Sequence, residues 1–217
     1  MSNIKIAPSI LSADFGKMAE EVKHMEDMGA ELLHCDIMDG VFVPNITFGP
    51  KMIADIRKAT ALPLDVHLMI VEPERYVEAF AKAGAGYITI HVEATKRLVP
   101  TLKAIRSLDV KSGAVISPDT PVKAIEPALE YSDMVLLMSV YPGFGGQNFL
   151  EKSLDRLREL SELIKKSKRH IDIEIDGGVT ADNVEAIKKA GANVIVAGNT
   201  IFGADDPKSM IRTLRGK

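Results

Sequence analysis

The sequence predicts a single-domain (β/α)8 barrel, also called a TIM barrel, and three observations lead to this prediction. Short β-branched or apolar runs alternate with longer stretches in which apolar residues recur at helical spacing. Eight such runs can be counted, about 27 residues apart, which matches this fold. The length of 217 residues is typical of one α/β barrel. An open, doubly wound sheet is the alternative, but it rarely needs eight consecutive parallel strands and would leave exposed edges.

The predicted strands are the eight apolar runs in chain order. They are Ile4–Ser9, Leu32–Ile37, Leu64–Leu68, Tyr87–His91, Gly113–Ile116, Met134–Met138, Ile171–Ile175 and Val194–Ala197. Amphipathic segments between them predict helices. These include Lys17–Met28, Pro73–Ala83, Leu98–Ser107, Leu154–Lys166 and Val184–Ala190. Gly29, Gly84 and Gly191 stand where three of these helices should end, each followed by Ala and then by the next strand.

Composition and charge exclude several classes of protein. With 46% hydrophobic and 26% charged residues, the chain has an ordinary globular composition. A net charge of -3, with Lys and Arg spread along the chain, argues against nucleic acid or an anionic membrane as a partner. Cys35 is the only cysteine, which excludes an intrachain disulfide and favours a reducing compartment. The segment Met1–Ile10 lacks the charge and apolar core of a secretory signal, so we expect a cytoplasmic protein.

Unusual polar residues cluster at the carboxyl ends of three predicted strands, where barrel enzymes place their catalytic side chains. The second strand ends with His34 and Asp36, which share a face with Met38 because side chains alternate along a strand. The third carries His67 at its end, and the seventh leads into Asp176. We expect these side chains to converge.

Two imidazoles and two carboxylates suit one divalent ion such as Zn²⁺, Fe²⁺, Mn²⁺ or Co²⁺. Taken singly, a histidine at a strand end is more often a hydrogen-bonded structural residue than a ligand. Together, His34, Asp36, His67 and Asp176 are costly to bury without a metal or a partner, which favours the metal site. His91, with Glu93 just beyond it, could join the site, but a supporting or structural role is favoured.

The remaining histidines and the strand-end methionines have simpler interpretations. His24 and His170 lie in charged surroundings and are predicted to be solvated. Met38, Met69 and Met138 each end a strand, where they could form an apolar floor under a substrate or simply fill the core.

Glycines after strands six, seven and eight predict a phosphate site, because bare backbone lets a phosphate approach N–H groups closely. The candidate residues are Gly143, Gly145, Gly146, Gly177, Gly178, Gly198 and Asn199. Barrels commonly bind phosphate in this region, beside a short extra helix that Thr200–Gly203 could supply. These loops contain no Lys or Arg, so amide dipoles would meet the phosphate charge. Each glycine pair alone could be ordinary turn chemistry.

Assembled in order, these motifs closely resemble the ribulose-phosphate 3-epimerase family over essentially the whole chain. The motifs are Ala7–Phe15, His34–Gly40 with Phe42–Asn45, Asp65–Met69, Met138–Gln147 and Asp176–Gly178. The resemblance implies a barrel of the ribulose-phosphate-binding type. It also implies metal-assisted interconversion of D-ribulose 5-phosphate and D-xylulose 5-phosphate, a step of the pentose phosphate pathway, through an enediolate.

The resemblance also implies roles for individual residues. His34, Asp36, His67 and Asp176 would bind one ion, Zn²⁺ by preference, and the two aspartates would be the acid/base pair. Ser9 would contact the substrate near the ion, and Gly145, Gly146, Gly177, Gly178, Gly198 and Asn199 would hold the phosphate. From their positions at the strand ends, His67 and the three methionines are also expected to contact the substrate. A homo-oligomer is expected by analogy with the family.

Two departures from the family pattern bear on specificity: Tyr141 stands where Asn is common, and Asn199 where Ser is common. Tyr141 could reshape the pocket, so the nearest alternative is a 3-epimerase of a related ketose phosphate such as D-allulose 6-phosphate. A phosphate-binding barrel lyase or decarboxylase is more remote, because such barrels often use a Lys and none stands beside Asp36, His67 or Asp176. A non-catalytic sugar-phosphate sensor is the third alternative.

Overall fold

A computed structural model describes residues 4–216, and it has the predicted eight parallel strands with helices between them. The strands are β1 Lys5–Pro8, β2 Leu33–Met38, β3 Leu64–Met69, β4 Tyr87–His91, β5 Lys111–Ile116, β6 Met134–Met138, β7 Asp172–Asp176 and β8 Val194–Ala197. Each begins and ends within two residues of its predicted bounds. The ends of the predicted domain, residues 1–3 and 217, lie outside the described residues.

The strands form one sheet that curls back on itself as a barrel. Each strand from β2 to β8 pairs in parallel with its sequence neighbour, and β8 pairs in parallel with β1. Between β1 and β2, Ser9 and His34 form a single isolated parallel bridge. The predicted (β/α)8 barrel is therefore confirmed, with its closing contact at the carboxyl end of β1.

Helices surround the sheet and bury its outer face. They are α1 Met18–Asp27, α2 Pro50–Ala59, α3 Val77–Ala83, α4 Leu98–Ser107, α5 Lys152–Ser167, α6 Val184–Ala190, α7 Asn199–Phe202 and α8 Pro207–Arg215. In β2, Leu33, Cys35 and Ile37 belong to the large apolar core between sheet and helices. The alternate side chains of β2 face the barrel interior, because strand side chains point to opposite faces in turn.

Two connections differ from a plain helix. The predicted helix Pro73–Ala83 divides into a 3-10 turn, Pro73–Arg75, and α3. After β5, a ten-residue 3-10 segment, Val122–Tyr131, replaces the α-helix. Pro127 lies inside this segment, and because proline lacks an N–H and clashes with the carbonyl four residues earlier, a regular α-helix cannot form there.

The predicted glycine stops are confirmed: Gly29, Gly84 and Gly191 all follow helices and have positive φ. At Gly84 the φ is 101°, and a Cβ would lie 2.6 Å from Cγ of Arg57. Within residues 4–216, the helices are too short or too polar to span a bilayer.

Candidate active site

A cavity of about 430 Å³ opens at the carboxyl ends of the strands. Its floor is lined by Ser9, Asp36, Met38, Met69, Met138 and Asp176. Its rim is formed by the loops after β6, β7 and β8, which include all seven predicted phosphate-binding residues. The two predicted constellations thus face one space.

The structure brings His34, Asp36, His67 and Asp176 together: each offers one ligand atom, and these atoms all lie within 4.8 Å of one another. His34 and Asp36 come from β2, His67 from β3 and Asp176 from β7. Nε2 of His34 lies 3.3 Å from Oδ1 of Asp36 and 4.0 Å from Oδ2 of Asp176. Nδ1 of His67 lies 3.4 Å from the same Oδ1 of Asp36.

The donor set fits a cation. Nε2 of His34 and Nδ1 of His67 are buried, and neither has a hydrogen-bond partner among the described residues. Their contacts with Asp36 are near in distance but poorly aligned for hydrogen bonding. Buried polar atoms without partners are costly, and two ring nitrogens and two carboxylates around one point could hold a divalent ion.

His34 is oriented from behind by a carboxylate. Its Nδ1 lies 2.6 Å from Oδ2 of Asp65, a fully buried residue of β3. Because Nδ1 can donate its N–H to this carboxylate oxygen, Nε2 is the nitrogen left to face the cluster. Asp65 was not predicted as a site residue, although its alternation with His67 places both side chains on the inner face.

Glu174 of β7 completes the group beneath His34. It is fully buried, with Oε1 3.6 Å from Nδ1 of His34. Burial, followed by the nearby charge of Asp65, raises the pKa of Glu174 well above its ordinary value. The environment beneath the His/Asp cluster therefore favours the neutral form of Glu174 over the charged one.

The two aspartates of the cluster have opposite electrostatic environments. Burial alone would raise the pKa of Asp36, but the adjacent charge of His34, with His67 also close to this carboxylate, outweighs burial and holds this pKa well below its usual range. Burial and then the charge of Asp36 raise the pKa of Asp176 to about 7. At neutral pH, one carboxyl is ionised while the other is close to half protonated.

The two imidazoles also differ. Burial opposes ionisation of His34, but Asp36 and Asp65 raise its pKa well above the ordinary value. Burial dominates at His67 and lowers its pKa to about 4, so His67 is neutral. His24 and His170 are exposed, as predicted.

The three methionines form the apolar part of the floor. Met38 and Met69 pack with Val43, and Met138 packs with Val140. All three methionines are buried yet line the cavity. The three methionines therefore belong both to the packed core and to the cavity wall, so the two roles considered from the sequence, core filling and an apolar floor, are compatible.

The loops at the rim approach each other closely enough to require glycine. Gly178 has a φ of 64°, and a Cβ on it would lie 2.3 Å from the backbone nitrogen of Phe149. A Cβ on Gly146 would lie 2.8 Å from Nδ2 of Asn199. The hydroxyl of Ser12 donates to Oδ1 of Asn199 at 2.6 Å, which leaves the amide NH₂ group on the side of Gly146. Ser12 was not identified from the sequence as a site residue.

Tyr141 lies outside the cavity lining. Its ring is half exposed, and its hydroxyl donates to Oδ1 of Asp119 at 3.1 Å. Lys152 binds the same carboxylate oxygen at 2.8 Å. The departure from the family pattern at position 141 is thus directed toward the loop after β5, away from the cavity.

Comparison with known proteins gives a consistent result. A family model described as the ribulose-phosphate 3 epimerase family matches residues 5–202. A ribulose-phosphate 3-epimerase of Bacillus subtilis (strain 168) is 48% identical over 98% of this chain and 99% of its own. A ribulose-phosphate 3-epimerase of Synechocystis sp. is 49% identical over 98% of this chain and 94% of its own. The Arabidopsis thaliana ribulose-5-phosphate-3-epimerase, named chloroplastic, is 47% identical, with 99% and 77% covered.

Solved structures of other barrels resemble the fold at lower identity. A 3-hexulose-6-phosphate synthase superposes with a TM-score of 0.71 at 19% identity, covering 100% of this chain and 99% of its own. KGPDC from Streptococcus mutans superposes with a TM-score of 0.71 at 14% identity, covering 98% of this chain and 96% of its own. A mutant tryptophan synthase alpha-subunit from Pyrococcus furiosus gives 0.74 at 16%, with both chains covered completely. At these identities the likeness shows a shared barrel architecture.

Proposed function

Because the chain belongs to the ribulose-phosphate 3-epimerase family, we propose that it interconverts D-ribulose 5-phosphate and D-xylulose 5-phosphate by moving a proton at carbon 3. It is an enzyme of the isomerase class. The observation that carries the proposal is the convergence of the Asp36 and Asp176 carboxyls, together with His34 and His67, at one end of the barrel. Inversion at a carbon beside a carbonyl needs such a pair, one group to take a proton and one to give it.

The positions of the two aspartates support a two-base reaction. Asp36 is on β2 and Asp176 on β7, with β1 and β8 between them in the barrel. A substrate carbon between the carboxyls would meet one on each face. The ionised carboxylate removes the carbon 3 proton, and the C–H electron pair shifts to give an enediolate. The protonated carboxyl then delivers its proton to the opposite face as the carbonyl re-forms.

Four residues would hold the metal: His34 through Nε2, His67 through Nδ1, and the two aspartates through carboxylate oxygens. When bound, a divalent ion supplies positive charge that stabilises the negative charge developing on the substrate oxygens. The mixed nitrogen and oxygen donors favour Zn²⁺, and they also suit Fe²⁺, Mn²⁺ and Co²⁺. Ser9, His67, Met38, Met69 and Met138 would line the sugar.

The phosphate would lie at the glycine-rich rim. Backbone N–H groups of Gly143, Gly145, Gly146, Gly177, Gly178, Gly198 and Asn199 are the proposed donors. The side-chain amide of Asn199, held by Ser12, would add another. The cavity lining contains no Lys or Arg among the described residues, which supports recognition by amide dipoles.

The other candidate functions are less well supported. The named relatives at 47–49% identity are ribulose-phosphate epimerases, whereas the likeness to the synthase and KGPDC shows the fold alone. Tyr141 points away from the cavity, so it gives no reason to prefer a hexulose phosphate. Comparing turnover on pentulose and hexulose phosphates tests this choice directly.

The proposed function is tested by proton NMR of ribulose 5-phosphate in D₂O with metal-replete protein. We expect xylulose 5-phosphate carrying deuterium at carbon 3. Asp176→Asn should lower turnover at least about 10²-fold, the low end for a positioned acid or base. Asp155→Asn, on the exposed face of α5, is the matched control.

Two outcomes of this NMR experiment would contradict the proposal. Turnover near that of the parent in metal-replete Asp176→Asn would reject the two-base scheme. Retention of the carbon 3 proton while a hexulose phosphate reacts would reject the substrate.

Location and assembly remain proposals. A chain with one buried cysteine, Cys35, suits the reducing cytoplasm, where fractionation of cells tests its presence. The homo-oligomeric state stays a prediction, which light scattering of the purified protein tests.

A further inference from the structure

Behind the metal cluster, the side chain of His67 forms a hydrogen bond with another histidine. Nε2 of His67 lies 2.9 Å from Nε2 of His91, and the rings stack with an interplanar angle of 24°. Both residues are completely buried. A hydrogen bond between two imidazole nitrogens needs one hydrogen and one lone pair, so one ring donates and the other accepts.

The direction of this hydrogen bond decides whether His67 can bind a metal. If His67 donates from Nε2, its Nδ1 keeps a lone pair that faces Asp36 and the metal position. If His91 donates instead, neutral His67 carries its hydrogen on Nδ1, and that hydrogen points at the place of the ion. Only the first arrangement allows His67 to be a ligand.

Glu93 selects the first arrangement. Its Oε2 lies 3.1 Å from Nδ1 of His91, and because a carboxylate only accepts, the hydrogen of His91 belongs on Nδ1. Nε2 of His91 then has the lone pair and accepts from His67. The hydroxyl of Ser117, 3.3 Å from the same Nδ1, can donate or accept and therefore sets no preference.

The orientation of the Glu93 carboxylate is itself fixed by hydrogen bonds that it accepts from the loop after β5. Its Oε1 accepts from the backbone N–H of Ser117 at 2.8 Å and from the hydroxyl of Thr120. A backbone N–H can only donate, so this end of the side chain must be an acceptor. The remaining oxygen, Oε2, is the one turned toward His91.

We propose that Glu93 and His91 are positioning residues that hold His67 in the tautomer whose Nδ1 can bind the metal. The inference rests on the proposed role of His67 as a ligand, and the buried, unpartnered Nδ1 of His67 supports it independently. Asp65 orients His34 in the same way but directly, with its Oδ2 2.6 Å from Nδ1 of His34. Each of the two imidazoles thus has a carboxylate behind it, and at His67 a second ring transmits the effect.

The isosteric variant Glu93→Gln gives a sharp test, because it should reverse the hydrogen bonds. Its single amide oxygen is required by the N–H of Ser117, so its NH₂ group would face Nδ1 of His91 and donate to it. His91 would then donate from Nε2, and His67 would carry its hydrogen on Nδ1. We expect Zn²⁺ affinity, measured by chelator competition, to fall about 10- to 100-fold, as for other partners of metal ligands.

Glu93→Ala removes the preference without reversing it. With about half of the molecules in the competent tautomer, the dissociation constant should rise only about twofold. A packing role for Glu93 predicts the opposite order, with Ala more harmful than Gln. Glu78→Gln, an exposed pair with Lys82 on α3, is the control and should bind Zn²⁺ like the parent.

Histidine nitrogen-15 NMR of the metal-free protein reads the tautomer directly. In the parent and in Glu78→Gln, Nδ1 of His67 should have the shift of an unprotonated nitrogen. In Glu93→Gln it should have that of a protonated one. A protonated Nδ1 in the parent would overturn the inference.

The metal titrations separate the inference from the proposal beneath it. If His67→Ala binds Zn²⁺ as tightly as the parent, His67 is not a ligand, and the proposed site and the inference fail together. If His67→Ala loses affinity while Glu93→Gln binds like the parent, or better than Glu93→Ala, the inference alone is overturned. Binding that is weakened most in Glu93→Gln and less in Glu93→Ala supports both.

Discussion

The hydroxyl of Ser9 donates to Oδ2 of Asp36 at 2.7 Å, and this contact determines which carboxylate oxygen faces the two imidazoles. Oδ1 is left 3.3 Å from His34 and 3.4 Å from His67. Since Ser9 follows β1 and Asp36 lies in β2, the contact crosses the closure of the barrel.

Ser9→Ala should lower kcat for ribulose 5-phosphate about 10- to 100-fold, since a hydrogen bond to a charged group contributes about 1.5–3 kcal/mol. Asp36 would lose its fixed orientation, and the effect should appear in kcat more than in KM. Steady-state kinetics of the metal-replete variant measure it. Ser9→Thr keeps the hydroxyl and should recover part of the loss. Parent-like kcat in Ser9→Ala would show that Asp36 is oriented by other contacts.

Metal affinity should increase with pH, because the metal-free cluster holds protons where the ion would bind. Burial and Asp36 raise the pKa of Asp176 to about 7, so below that pH this carboxyl carries a proton that competes with the ion for its oxygens. Zn²⁺ affinity should therefore fall as pH falls below about 7, by about tenfold per pH unit for each proton released.

In Asp176→Asn the slope of affinity against pH should be smaller by about one proton. Part of the dependence should persist, since the pKa of His34 is also raised. Chelator competition at several pH values measures both slopes. Affinity that is independent of pH, or an equal slope in parent and variant, would contradict the prediction.

Asn199→Asp should raise KM for the phosphorylated ketose on the order of 10- to 100-fold, because it would place a carboxylate within a few ångströms of the phosphate. The variant is isosteric and keeps the acceptor for Ser12, so the loop should hold its shape. Asn199→Ser, which adds no charge, is the control and should change KM far less. If Asn199→Asp leaves KM unchanged, the phosphate does not bind beside residue 199.

Tyr141→Asn should leave substrate preference unchanged. The hydroxyl of Tyr141 contacts Asp119 on an exposed surface, and such contacts contribute about 1 kcal/mol or less, so kcat/KM should change less than about fivefold. The measurement is the ratio of kcat/KM for ribulose 5-phosphate and allulose 6-phosphate. A large shift in that ratio would mean that Tyr141 acts on the pocket through the loop.

The strand ends were predictable because two simple rules combine there. Alternation along β2 puts His34 and Asp36 on one face, and parallel strands bring their carboxyl ends to one rim, which adds His67 and Asp176. Which nitrogen of each ring faces the cluster was not predictable. That choice depends on Asp65 and on the chain from His91 to Glu93, whose contacts arise only when strands are neighbours.

Other features also depended on long-range packing. Ser12 and Asn199 are 187 residues apart, and no local pattern links them. The direction in which the Tyr141 side chain points was not predictable either, because residues in a loop do not alternate between faces in a regular pattern. The segment Val122–Tyr131 has helical spacing of apolar residues, but Pro127 inside it makes it a 3-10 segment.

One bridge, between Ser9 and His34, joins β1 and β2, whereas six registered pairs join β2 and β3, so the sheet is less continuous at the seam between β1 and β2. An ion held as proposed would be bound by β2 and β3 on one side of that seam and by β7 on the other. It would cross-link the strands on the two sides of the seam. The stiffness of the barrel at its reactive end would then be set by the occupant of the site as much as by the sheet.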